Sequence, residues 1–217
     1  MLKTRIASAF TLVFFLAAIV VFNSWFPLAL NIAVALVSLL AVYEIVLALG
    51  LSKKLILFIP SLIFAAALPF IESVFLRECA YFLYTIVIFT ALICYHSFIT
   101  FKEVGVIYSM SVMIPTSLDT IVSLRSLEVP HGMFYVIIAI FSAWIADAGG
   151  YIAGSLFGKH KLCPTVSPKK TVEGLIGSFV LNISAMLLFG YIFQAIYYSC
   201  GTRISYIPLL IIGSVGT

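Results

Sequence analysis

The stretch from Trp144 to Gly174 decides the interpretation of the whole chain; it reads WIADAGGYIAGSLFGKHKLCPTVSPKKTVEG. It begins inside an apolar run that carries one acid, Asp147, and it leaves that run at Lys159. Four lysines then follow within twelve residues, and no other part of the chain is so polar or so basic. Cations gathered on one loop beside an acid in an apolar helix predict a binding site for a phosphorylated substrate.

The composition of the chain identifies its solvent. Of 217 residues, 64% are hydrophobic and 9% are charged, and the mean hydropathy is +1.23. A soluble domain has roughly 25% charged residues, so this chain has too few to cover a surface in water. We therefore predict a polytopic membrane protein. The net charge of +4 does not indicate a nucleic-acid partner, because the cations lie at segment ends and on one loop.

Apolar runs of about 20 residues, the length that crosses a bilayer, recur along the chain. They predict an all-α fold with seven to eight transmembrane helices in a single domain over residues 1–217. Short polar turns separate the runs, and Glu72–Glu78 is expected to be a polar bend. The predicted spans are Ile6–Phe22, Phe26–Leu49, Leu55–Ile71, Cys79–Ile99, Val104–Leu124, Met133–Ala153 and Leu175–Tyr198, with a last apolar run after Ser205.

The distribution of lysine and arginine predicts the orientation. With a cytoplasmic N-terminus, nine of these residues fall on the cytoplasmic side and three on the opposite side. Such an excess is typical of cytoplasmic loops. The basic loop, residues 155–174, is therefore predicted to be cytoplasmic, after six spans. The three cations on the other side are Arg77, Arg125 and Arg203.

Acids inside apolar runs are costly and face a bundle interior or a wet cavity. We predict a functional role for Asp147, because it precedes the basic loop by about two helical turns. Asp119 lies near Arg125 and is expected to have an interfacial, structural role at least as readily as a chemical one. Glu44 either contributes to the site or reaches the membrane surface beside the lysines at 53 and 54.

The glycines before and after the lysines suggest how the loop is held. Gly150, Gly154 and Gly158 fall on one helix face, which favours close helix packing. The segment from Ser167 to Gly174 resembles a helix start, with Glu173 in its first turns, and a helix N-terminus suits an anion. A simpler alternative is that the loop only anchors the chain to anionic headgroups.

These residues also carry a resemblance to a known family. D-A-G-G-Y at 147–151, G-S-L-F-G-K-H-K-L at 154–162 and S-P-K-K-T-V-E-G at 167–174 are similar in order and spacing to the phosphatidate cytidylyltransferase family. Tyr43-Glu44 is similar to a tyrosine-glutamate pair of that family. Ser155 departs from the usual arginine or lysine, and Ser178 replaces a glycine.

The family's C-terminal signature, S-x-x-K-R-x-x-x-x-K-D followed by H-G-G-x-x-D-R-x-D, does not occur before Thr217. That signature supplies the acids that bind divalent metals in the family. We therefore expect the chain to be either a fragment of a longer enzyme or a truncated relative without activity. The main acidic metal ligands would lie beyond Thr217.

The resemblance implies a reaction in which CTP and phosphatidate give CDP-diacylglycerol and pyrophosphate, with Mg²⁺ as cofactor. It implies a multi-pass protein of the bacterial cytoplasmic membrane that contacts membrane lipids, with no nucleic-acid partner, and it is compatible with a homodimer. The implied catalytic residues are Asp147, Lys169 and Lys170, with Asp147 also a metal ligand. Phosphate contacts are implied for Lys159, His160, Lys161, Ser167 and Thr171, and structural roles for Gly150, Gly154, Gly158, Glu173 and Gly174.

Two alternatives use the same loop without catalysis. One is a truncated relative that binds lipid or nucleotide, and the other is a small transporter. A transporter of known type has internal repeats and a site near the middle of the membrane. The sequence has no visible repeat, and its polar residues gather at one end of the apolar runs. The sequence therefore favours the enzyme family.

Overall fold

The described part of the protein, residues 25–126, 132–165 and 167–197 of a computed structural model, is mostly helical. Five of the helices there are long and apolar enough to cross a membrane. The chain is thus a polytopic membrane protein, while the count of seven to eight spans stays a prediction. The predicted first span and the last apolar run lie outside the described residues. The chain divides into two units, Met1–Glu128 and Val129–Thr217, and each is described by itself.

The first unit contains four α-helices and a short 3₁₀ helix. The helices are α1 (Leu28–Ala48), α2 (Leu55–Ala67), α3 (Val74–Cys94) and α4 (Phe101–Arg125), and the 3₁₀ turn Leu68–Phe70 extends α2. The α1 and α4 helices both pack against α2, and α3 packs against α2 and α4. The shared core includes Leu57, Leu68 and Ile88, each fully buried. The four helices run alternately up and down between two polar ends.

Local sequence explains where these helices begin and end. Gly50 has a φ of 69°, and the Gly50 and Leu51 amides donate to carbonyl oxygens of the last turn of α1. This is the glycine-dependent Schellman ending of a helix. At the start of α4, the Thr100 hydroxyl accepts from the Glu103 amide, and the Glu103 carboxylate accepts from the Thr100 amide at 2.9 Å. This reciprocal capping box fixes the first turn.

Charged side chains mark the two ends of the first unit. At one end, Lys54 Nζ lies 2.5 Å from a carboxylate oxygen of Glu103. At the other end, Arg77 pairs with Asp119 at 3.3 Å, and Arg125 donates to the Pro27 carbonyl and to Asn31 Oδ1. The lysines and the arginines thus lie at opposite ends, as the predicted orientation requires. Which end faces the cytoplasm stays a prediction.

One expectation about this unit is wrong. The fourth span was expected over Cys79–Ile99 after a polar bend, but α3 covers Val74–Cys94. Arg77 can occupy the first turn of that helix because its two terminal nitrogens pair with Asp119 and with the Ile71 carbonyl. Asp119, for which an interfacial, structural role was expected at least as readily as a chemical one, is 3% exposed and pairs with Arg77 on another helix.

The second unit consists of two antiparallel helices joined by a β-hairpin. They are α5 (Gly132–Phe157) and α6 (Val172–Tyr197), and the strands are β1 (Lys161–Cys163) and β2 (Ser167–Thr171). Small residues let the helices approach closely. A Cβ at Gly149 would lie 3.0 Å from the Leu181 Cβ, and a Cβ at Gly177 would collide with the Ala153 side chain. Further along the pair, Asn182 Nδ2 donates to Ser142 Oγ at 2.9 Å.

The hairpin corrects two expectations. An all-α fold was expected, and the segment from Ser167 to Gly174 was expected to form the start of a helix. Residues Ser167–Thr171 are instead a strand, and the helix begins at Val172. The reason is local: the Thr171 hydroxyl accepts from the Gly174 amide at 3.1 Å, the usual geometry of a threonine at the N-cap. Glu173 then lies in the first turn, as predicted.

Candidate functional site

The candidate site is the cationic hairpin, residues 159–171, which connects the close ends of α5 and α6. Its strands are antiparallel, with Lys161 opposite Thr171 and Cys163 opposite Ser167. Between these pairs β1 contributes one residue, and β2 contributes three, Pro168 to Lys170. Such an excess interrupts the regular ladder. Lys169 and Lys170, both implied as catalytic by the family resemblance, therefore lie in the irregular part of β2.

The lysines of the hairpin are exposed and unneutralised. Lys159, Lys161, Lys169 and Lys170 are all solvent-exposed. Among the residues that the structure describes, none of the four makes an ion pair or a side-chain hydrogen bond. Four lysines less Glu173, with His160 neutral, give residues 155–174 a formal charge of +3. The hairpin thus presents ammonium groups whose hydrogen-bonding capacity is available to an anion.

Glu173 ties the start of the hairpin to α6. Its carboxylate accepts from the Lys159 amide at 3.1 Å, from the His160 amide at 3.2 and 3.3 Å, and from His160 Nδ1 at 2.6 Å. Beside these bonds, the Val172 amide donates to the His160 carbonyl at 3.0 Å. A negative charge in the first turn is also favoured by the helix dipole. The turn after α5 is therefore fixed from the α6 side.

Thr171 lies where α5, β2 and α6 meet. It is 7% exposed, and its Oγ1 would be 3.0 Å from a Cβ placed at Gly154 or at Gly174. A Cβ at Gly174 would also lie 2.9 Å from the Gly150 carbonyl oxygen. The glycines are required here because any side chain would separate the two helix ends. The Thr171 hydroxyl, expected to contact phosphate, is buried and acts as the cap of α6.

Asp147 is the one acidic residue within α5, and its side chain is exposed. It lies ten residues before the end of the helix at Phe157. At 1.5 Å per residue this is about 15 Å along the axis. Gly154 is two turns further along the same face. Asp147 has no ion pair or hydrogen bond to the residues that the structure describes, so no lysine is oriented by it there.

Other predicted residues are placed as follows. Ser167 is half-buried at the start of β2, and Gly158 follows α5, where its amide donates to the Gly154 carbonyl at 3.2 Å. Sequence reasoning missed the bonds from Lys159 and His160 to Glu173, although the acid itself was singled out. It also missed Gly149 and Gly177 in the helix contact. The available signal was that Gly149 lies next to Gly150, and that Gly177 lies three residues after Gly174.

The side chains present fit a magnesium ion held mainly by a substrate. Within the described ranges, no three His, Cys, Asp or Glu side chains gather into a metal cluster. The Glu173 carboxylate is engaged by three donors, whereas Asp147 is exposed and unengaged there. Mg²⁺ is often held by one or two carboxylates together with substrate phosphates and water. Of the two acids in the described part of the second unit, Asp147 is thus the one whose carboxylate has no described partner.

The chain is similar to several bacterial proteins named phosphatidate cytidylyltransferase. A phosphatidate cytidylyltransferase of Bacillus subtilis is 34% identical over 113 residues, which is 52% of this chain and 39% of the relative. The enzyme of the same name from Staphylococcus saprophyticus is 43% identical over 58 residues, 27% of this chain and 22% of the relative. That of Staphylococcus haemolyticus is 46% identical over 52 residues, 24% and 20%. The chain thus spans well under half the length of these relatives.

The family assignment rests on a longer match. No solved structure matches the chain significantly. The sequence profile described as the cytidylyltransferase family matches residues 3–216, nearly the whole sequence. It includes both units and the cationic hairpin. The chain therefore belongs to the cytidylyltransferase family.

Proposed function

We propose that this protein transfers a cytidylyl group from CTP to phosphatidate, giving CDP-diacylglycerol and pyrophosphate. The observation that carries the proposal is the cationic hairpin at the end of two apolar helices, whose four lysines are exposed and have no partner among the residues that the structure describes. Both substrates are phosphates, and one of them is a lipid. The names of the bacterial relatives support the same reaction.

The chemistry needs neutralisation of charge more than covalent help. A phosphate oxygen of phosphatidate attacks the α-phosphorus of CTP, the bond from that phosphorus to the bridging oxygen breaks, and pyrophosphate leaves. Lys159, Lys161, Lys169 and Lys170 offer ammonium groups that neutralise the phosphates and hold them in line. Bound Mg²⁺ would neutralise further phosphate charge, with Asp147 as a protein ligand.

The test uses the full chain in nanodiscs that contain phosphatidate. We expect it to bind CTP, and CDP-diacylglycerol and pyrophosphate are measured with Mg²⁺ to test whether residues 1–217 catalyse the reaction. Product formation separates the enzyme from a relative that only binds nucleotide or lipid. A wild-type chain that is folded yet binds neither CTP nor phosphatidate would contradict the proposal.

Lysine substitutions test whether the hairpin is the binding site. Lys169→Ala and Lys170→Ala should each weaken CTP binding about tenfold, the scale of one charge-assisted hydrogen bond. The matched control is Lys53→Ala, because Lys53 is an exposed lysine of the first unit. Titration calorimetry gives the dissociation constants. Equal losses in the control would show that only general positive charge matters.

A further inference from the structure

The contacts of His160 differ from those of the lysines around it. The lysines are unpaired among the described residues, whereas His160 Nδ1 lies 2.6 Å from Glu173 Oε1. An ionised carboxylate only accepts hydrogen bonds, so this geometry requires a proton on Nδ1. The ring itself is 78% exposed, and the Glu173 side chain is 25% exposed. The Nδ1 edge of the imidazole is therefore fixed, although the residue lies at the surface.

The same carboxylate also occupies the backbone donors of the turn. The Lys159 and His160 amides both point to Glu173. Consecutive amides of this kind are a common cradle for a phosphate. Here the chain's own carboxylate fills the cradle, so these two N–H groups are not free to receive a ligand. An anion on the hairpin must then be held by the lysine side chains.

We infer that Glu173 is the positioning residue of the cationic hairpin, and that His160 acts through Glu173 and is not itself an anion ligand. The inference rests on the proposed function for the identity of the anion. Its geometric basis is independent of that function. Charge-assisted bonds are roughly twice as strong as neutral ones. Glu173 makes such bonds from the first turn of α6 to the turn after α5. It therefore fixes the position of the backbone from which the Lys159 and Lys161 side chains extend.

Glu173→Gln is the first test, because it keeps the size of the side chain and removes the charge. The amide has one acceptor oxygen in place of two and presents its NH₂ to donors. We expect hydrogen exchange at the Lys159 and His160 amides to quicken by about tenfold or more. Affinity for CTP should fall, while the unfolding temperature changes little, because the α5–α6 contact is kept. Glu78→Gln, an exposed acid of the first unit, is the matched control.

Three substitutions of His160 separate positioning from binding. The Nδ2 of asparagine can replace Nδ1 as the donor to Glu173, whereas the amide of glutamine reaches to the position of Nε2. We expect His160→Asn to keep slow exchange at the two amides and near wild-type CTP affinity. His160→Gln and His160→Ala should both show faster exchange at the two amides and weaker CTP binding. The opposite ranking, with glutamine retaining affinity and asparagine losing it, would make His160 a direct ligand and overturn the inference.

The hydrogen-exchange measurement needs no ligand. If Glu173→Gln leaves the exchange of both amides unchanged, Glu173 does not position the turn and the inference is wrong. If the wild-type chain binds no CTP, the proposed function fails, and the exchange rates of the Glu173 and His160 variants still decide the positioning role. If exchange quickens but CTP affinity is unchanged, the lysines do not depend on Glu173, which also overturns the inference.

Discussion

The two units use their charges differently. In the first unit, Lys54 pairs with Glu103, Arg77 with Asp119, and Arg125 bonds Asn31 and a backbone carbonyl. In the second unit, the lysines of the cationic hairpin have no partner among the residues that the structure describes. The Glu173 carboxylate accepts hydrogen bonds from backbone amides and from a histidine. The first pattern stabilises a bundle. The second leaves the positive charge of the lysines available to an anion.

The largest expected effect is at the buried ion pair of the first unit. Arg77→Leu should lower the free energy of unfolding by about 3–5 kcal/mol, because it leaves the buried Asp119 carboxylate without its partner. Asp119→Asn should cost less, because the Arg77 side chain is 30% exposed. The double variant Arg77→Leu with Asp119→Leu should recover much of that loss. Thermal unfolding in detergent gives the comparison. Single variants as stable as the wild type would show that the pair does not stabilise the bundle.

A smaller effect is expected where the two helix ends of the second unit touch. In Gly174→Ala the new methyl would meet the Gly150 carbonyl oxygen at 2.9 Å, so the helices must separate. Overpacking of this kind costs about 1–3 kcal/mol. The control is Gly105→Ala, because a Cβ at Gly105 meets nothing within 4 Å. That change should stabilise α4 by roughly 0.5–1 kcal/mol. A Gly174→Ala protein that unfolds like the wild type would show that the contact can relax.

The smallest effect is expected for the lysines themselves. Replacing Lys159, Lys161, Lys169 and Lys170 together by glutamine should change the free energy of unfolding by less than about 0.5 kcal/mol per site. The same protein should lose CTP binding. Circular dichroism and calorimetry on one preparation measure both. If the variant unfolds at a much lower temperature, the hairpin lysines stabilise the fold, and the contrast between the two units disappears.

Much of the helical fold could be predicted because long apolar runs have few other structures in a bilayer. The limits of α1, α4 and α6 fall within three residues of the predicted spans. The start of α3 was misplaced because Arg77 and Glu78 look like turn residues by composition. The acceptance of Arg77 in the helix depends on Asp119 and on the Ile71 carbonyl, which no local pattern shows.

The candidate site was located by composition, but its geometry was not. Four lysines in twelve residues are visible without a structure. Between Ser167 and Thr171, however, the sequence offers two hydroxyl residues that could cap α6. Packing selects Thr171, because only that position meets Gly154 across the helix contact. The β-hairpin was missed because Pro168 and two lysines do not alternate as a strand does.

The length of α2 has a consequence for the surrounding lipid. Its 13 helical residues rise about 20 Å, and the three residues of the 3₁₀ turn add about 6 Å. The two together fall short of the hydrocarbon core of a typical bilayer, about 30 Å thick. If α2 crosses the membrane as the sequence predicts, this hydrophobic mismatch would require the bilayer to thin around it. The first unit should therefore favour thin, short-chain bilayers over thick ones.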